Sequence, residues 1–292
     1  MTTTEAAPAP ARPAAPPAPS RRGVLADALR WEVRKLRRQY RARVALLGAL
    51  VGPVLVVVVV HGQSRPPKDT LFGRYALDNG FALSLLVLGF ATQWVLPLLT
   101  ALVAGDIFAS EDHHGTWKTV LTRSTGRGTV FWAKTLAAAG FAVLVVLVLG
   151  ASTITSSLLI VGHQPLTGLT GQLTAPSEAL RLVSLSWVSV LAPTLGFTCL
   201  ALLLSVWSRN PAVGIAAPVV IAMVMQLVGA LGGVEPLRPF LLSTPFESWH
   251  GLLADPRFTG PLLGGLVTSA VWCAVCLGLG HLVLRRRDIT GG

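Results

Sequence analysis

Six blocks of about 20 apolar residues, each nearly free of charge, constrain this chain more than any other feature. They cover residues 44–60, 80–104, 131–161, 182–206, 213–231 and 261–284. A helix rises 1.5 Å per residue, so about 20 residues cross roughly 30 Å of hydrocarbon. A core helix of a water-soluble protein carries a polar stripe, and these blocks mostly do not. The composition agrees: of 292 residues, 52% are hydrophobic and only 13% charged, with a mean hydropathy of +0.63. Pro53, Pro97, Pro193 and Pro218 fall inside blocks. Neighbouring helices can satisfy the backbone groups they free, so the blocks remain candidate spans. The expected fold is an all-α polytopic membrane protein with six transmembrane helices in residues 44–284.

The flanks divide by charge. Residues 1–20 are mostly Ala and Pro and read as a disordered tail. Residues 21–43 form a basic amphipathic stretch, with Leu25, Leu29, Val33, Leu36 and Tyr40 at helical spacing among arginines and Lys35. Such a helix suits the lipid headgroup layer, with Trp31 as an interface anchor. Residues 285–292 make a basic C-terminus. Of the 24 Lys and Arg residues, eighteen fall on the side of both termini and six on the other. That asymmetry predicts a cell membrane protein with both termini cytoplasmic. It also accounts for the net charge of +11 without nucleic acid. Cys199, Cys273 and Cys276 all lie in apolar blocks, which predicts helix packing and no disulfide framework.

The chemistry is sparse. No G-x-x-x-x-G-K-[ST] phosphate loop occurs. The mid-span positions carry essentially no ionisable groups, which argues against an ion-coupled carrier. No acid/base constellation points to an enzyme. The polar span residues Gln93, Ser152, Thr155 and Gln226 are candidates to line a pathway, or else they hydrogen-bond between helices. His113 and His114 lie beside acidic residues, but adjacent helical side chains point about 100° apart. No metal site is expected there. The outer segment 232–260 is too apolar for a free loop and too rich in proline to span. It reads as a membrane-dipping hairpin burying Phe240, Phe246 and Trp249.

Between spans two and three, residues 105–130 have an internal pattern. Trp117 and Leu121 form a small apolar face beside Lys118, and Glu111 lies near an expected helix start. A short helix lying against a cytoplasmic partner fits these residues, with Trp117 as its anchor because it has no core of its own to enter. The run Glu111, Gly115-Thr116-Trp117-Lys118, Leu121, Arg127 and Ala133-Lys134 resembles the signature of type-2 ATP-binding-cassette (ABC) exporter permeases. The plan of basic helix, six spans and long outer segment is similar too. The resemblance implies that residues 105–130 hold a coupling helix, with Glu111, Gly115, Thr116, Trp117, Lys118, Leu121 and Arg127 facing a separate nucleotide-binding ATPase subunit. It implies ATP and Mg in that subunit and no cofactor in this chain. It further implies a second permease copy or a related permease, and an outer re-entrant gate including Phe240, Phe246 and Trp249. The expected function is export of a hydrophobic or amphipathic compound. The alternative is a non-transporting membrane scaffold or sensor subunit.

Overall fold

The computed structural model describes residues 21–65, 70, 72–117 and 126–286. The tail 1–20, the C-terminus 287–292, and Lys118 and Leu121 lie outside the described residues. Two short helices open the fold, α1 (Arg21–Arg38) and the longer α2 (Tyr40–His61). Gln39 between them is extended, at φ −71° and ψ 128°. The first span therefore starts at Tyr40, earlier than the expected residue 44, because Arg41, Ala42 and Arg43 continue its helix.

The second span runs Gly80–Ala104. It consists of α3 (Gly80–Phe90), a π-helical turn (Ala91–Val95) and α4 (Leu96–Ala104). Asn79 caps α3: its side-chain oxygen accepts from the Phe81 and Ala82 amides. The five-residue α5 (Ala109–His113) follows, and then α6 (Arg127–Ile160), the third span. A two-stranded hairpin, β1 (Leu166–Thr167) with β2 (Leu173–Thr174), leads into α7 (Pro176–Ser189) and α8 (Leu191–Ser208). These two helices make one span, Pro176–Ser208, interrupted at Val190. The fifth span is α9 (Pro211–Ala230). Two 3₁₀ segments, Glu235–Phe240 and Thr244–Leu253, precede α10 (Gly260–Arg286), the sixth span. Among the described residues six helices are thus long and apolar enough to cross a membrane, and the chain is a multi-pass membrane protein.

Spans two and four form the centre and the others surround them. In α2 only a small-residue stripe is buried, Ala42, Ala45, Ala49, Pro53 and Val57, and α2 packs along α6. Small residues let the two backbones approach, and dispersion replaces the missing hydrophobic drive between helices in lipid. The remaining face of α2, including Leu47, Leu55 and Val59, points outward, as suits a lipid surface. α10 packs along α8, and α9 packs on both α8 and α4.

A close backbone approach joins the end of span two to span five. A Cβ on Gly105 would lie 2.1 Å from the Gly214 carbonyl oxygen, and one on Gly214 would lie 2.2 Å from that of Gly105. Neither fits without moving a helix. Gly214→Ala is expected to cost about 1–3 kcal/mol, the range for overpacking. Gly48→Ala, with open space around it, is the reference. Equal denaturant midpoints for the two variants in detergent would refute the contact.

Two ends emerge from this arrangement. One, the basic face, carries α1, α5 and the described end of α10. The other carries the hairpin and the 3₁₀ segments. There the Leu169 amide donates to the Leu253 carbonyl at 2.9 Å and Asn79 Nδ2 donates to the Pro165 carbonyl at 2.8 Å.

Candidate functional site

At the basic face a buried charge cluster holds three elements together. Lys134, in the second turn of α6, is 0% exposed. Its ammonium lies 2.9 Å from Glu111 Oε1 and 3.0 Å from Glu32 Oε1. It also stands 5.9 Å from the centroid of the Phe108 ring. Lys35 of α1 makes a second ion pair with Glu111. The Thr116 hydroxyl donates to the other Glu111 oxygen. Glu111, itself 3% exposed, is therefore the hub of α1, α5 and α6. Burial pushes its carboxyl pKa up, but the charge of Lys134 and the hydrogen bonds from Lys35, Thr116 and Lys134 outweigh this. They bring it down to about 2.

The local sequence explains the geometry. Ser205 Oγ of α8 accepts from the Phe108 and Ala109 amides at 3.2 and 3.0 Å, which fixes the start of α5. Gly115 then takes φ +64°, a left-handed conformation open to glycine at little cost. The chain reverses, and the Thr116 amide reaches the Glu111 carbonyl at 3.0 Å. The spacing Glu111, Gly115, Thr116 is thus the recipe for a turn that closes on its own carboxylate. A further ion pair, Arg41 to Asp106 at 2.8 Å, ties the start of α2 to the same segment.

Trp117 departs from the reasoning made on sequence. It does have a core to enter: it is 5% exposed and stacks on Phe108, with ring centroids 6.4 Å apart, and Phe108 stacks on Phe131 at 5.7 Å. In this conformation it anchors the segment to the bundle. What the segment presents outward is His113, His114 and Gly115; the sequence reads the two histidines as a solvated, partner-facing surface and not as a metal site. Arg127 opens α6 and donates to the Arg285 carbonyl at 3.1 Å. Glu32 was missed altogether. Its signal was its register, three residues after Leu29 and four before Leu36, on the inward line of an otherwise basic helix. Val33 and Tyr40, expected on the apolar face, are exposed, whereas Leu36 of that face is buried, with Glu32 beside it.

The other candidates separate. Gln226 Nε2 donates to the Gln93 carbonyl at 2.7 Å. Pro97, four residues on, has no N–H to give that carbonyl, so Gln226 of span five completes span two. Ser152 Oγ donates to the Leu50 carbonyl at 2.5 Å and joins α6 to α2. Thr155 is exposed and outside these bonds. At the opposite end, Phe246 stacks on Phe197 at 5.7 Å and Trp249 on Phe72 at 6.0 Å, both deeply buried. Phe240, expected to bury with them, is 72% exposed; its carbonyl instead accepts from Trp272 Nε1 at 3.0 Å. Gln93, Phe246 and Trp249 meet around one cavity of about 280 Å³.

Comparison with known families gives one finding that bears on this arrangement. A family model described as "ABC-2 family transporter protein" matches residues 28–229, more than half of the chain and all of the charge cluster. A comparison with curated proteins finds no match.

Proposed function

The chain belongs to the ABC-2 transporter family, and from that premise we propose that it is the permease subunit of an exporter driven by a separate ATPase. Members of the family are the membrane components of ABC transporters, which work with an ATPase partner. In our reading the basic face is cytoplasmic, in the cell membrane, and the ATPase docks there. ATP and Mg belong to that partner. Two copies of this chain, or one copy and a related permease, complete a path for a hydrophobic or amphipathic compound.

The observation that carries this reading is the Glu111 hub. A loop that merely reconnects two spans has no need of a buried ion cluster. This one is bonded to α1, to α6 and, through Ser205, to α8. A push on its exposed edge at His113–Gly115 reaches three elements at once without a flexible joint. Glu111, Thr116 and Trp117 then transmit the push from inside, and Lys118 and Leu121 belong to the same docking segment.

The test is co-expression with an ATPase of the same class, pull-down through this chain, and ATP-dependent uptake of a hydrophobic dye into inside-out vesicles. The expected result is a complex whose ATP turnover drives uptake, abolished in a catalytically dead ATPase. Assembly without ATP-driven uptake would favour the scaffold reading. Orientation has its own readout. A Cys at Ser64 should react with an impermeant thiol reagent from outside and one at His114 should not; the reverse pattern overturns the docking face.

A further inference from the structure

The cavity at the opposite end from the charge cluster runs along one face of the second span. Leu85, Leu86, Gly89, Thr92 and Gln93 form that wall, at the 3–4 residue spacing of a helix face. From Leu85 to Gln93 it extends about 12 Å at 1.5 Å per residue. Aromatic rings close it: Phe90 at its flank, Phe72 and Trp249 stacked at 6.0 Å, and Phe246 beneath them. At its outer end stand Glu247 and His250. Among the described lining residues Glu247 is the only acidic or basic side chain besides that histidine. It is exposed, and none of the ion pairs among the described residues includes it. Loss of hydration pushes the His250 imidazole pKa down, against the backbone hydrogen bond and the charge of Glu247, so His250 adds little positive charge to offset the carboxylate. The wall is thus an aromatic, apolar body with one carboxylate at the watery end; Arg238, which shares a neighbouring pocket with Glu247, makes none of the ion pairs among the described residues.

We propose that this cavity binds a lipophilic organic cation, with its apolar body along the second span and its cationic group between Glu247 and the aromatic rings. An aromatic face attracts a cation through its quadrupole, more strongly as water is excluded. The exposed carboxylate of Glu247 adds a Coulomb attraction that water partly screens. A neutral ligand of the same shape gains the burial but neither of these. The inference rests on the permease reading only for the ligand's role as cargo.

The experiment uses the full chain alone in maltoside micelles, which bring no cationic headgroup. Methyltriphenylphosphonium is titrated against intrinsic tryptophan fluorescence, with triphenylphosphine oxide as a neutral analogue of similar shape. The expected result is saturable binding of the cation, weakened about two- to fivefold in Glu247→Gln and unchanged in Asp27→Asn at the far face. The oxide should bind both wild type and Glu247→Gln alike. Phe90→Ala, at a half-exposed position that holds no core together, should weaken both ligands. Equal cation binding by wild type and Glu247→Gln, or no saturable binding by a monodisperse wild-type sample, overturns the proposal. Because no ATPase is present, a negative result leaves ATPase assembly to stand or fall on its own pull-down.

Discussion

Lys134→Met is expected to destabilise the protein by about 3–5 kcal/mol, the range for breaking a buried ion pair by removing one partner. Methionine fills much the same volume, so packing changes little. What changes is that the Glu111 and Glu32 carboxylates, both buried, face one another without the ammonium that now lies within 3.0 Å of each. Lys35 remains, but it is partly exposed and pairs with Glu111 alone. Adding Glu111→Gln and Glu32→Gln to Lys134→Met should recover much of the loss, because neutral amides cost far less to bury than unpaired charges. Denaturant unfolding of the single and triple variants measures this; a single variant within 1 kcal/mol of wild type would mean that water reaches the cluster. Acid should act in the same direction. The Glu111 carboxyl falls from 4.5 when exposed to about 2 in the fold. Its contribution is therefore complete above pH 4.5 and is lost as the pH falls through about 2. Glu111→Gln should flatten that part of the stability profile.

Trp117→Ala is expected to cost about 3–5 kcal/mol, the range for truncating a buried large aromatic. The loss should be local, because Trp117 closes a three-ring stack with Phe108 and Phe131 at the root of α6. Without it the turn at Gly115 loses its outer support, and Thr116 loses its place against Glu111. Partner binding should weaken as a consequence of a loosened segment, and Trp117→Phe, which keeps a ring on Phe108, should restore most of it. A surface anchor behaves differently: it changes affinity for the ATPase and leaves the permease's own unfolding untouched. Unfolding of the isolated permease therefore separates the two roles. An unchanged midpoint for Trp117→Ala would return Trp117 to the partner's side of the interface.

The spans were legible because they depend on two sums, length and hydropathy, which neighbours do not alter. Gly80–Ala104 was readable to the residue because Asn79 and Gly105 mark its ends. The charge cluster was legible only in part. Glu111 stood out through its motif, but Glu32 sits among arginines, and a basic helix reads as a solvated surface until the partner that neutralises it is known. Lys134 was counted as a flank charge for the same reason. That Trp117 has a core to enter was not legible because a local reading pairs it with Leu121, whereas the rings it packs with, Phe108 and Phe131, come from the two ends of the connection. Gln226 stood open between lining a pathway and bonding between helices, and it does the second. Its role follows from the proline at 97 on another span, which no reading of span five alone contains.

The π-helical turn at Ala91–Val95 has a geometric effect on everything the second span touches. A wide turn carries one residue more than an α turn, so the side chains beyond it are advanced by about 100° around the axis. Both halves pack on α6; the upper half, α3, adds α7, whereas the lower half, α4, adds α8 and α9. Gln93, at the inner end of the cavity wall, lies inside this turn, and its carbonyl is held by Gln226 of the fifth span. The extra residue thus sets the register of the lower half of the span against its neighbours separately from that of the upper half.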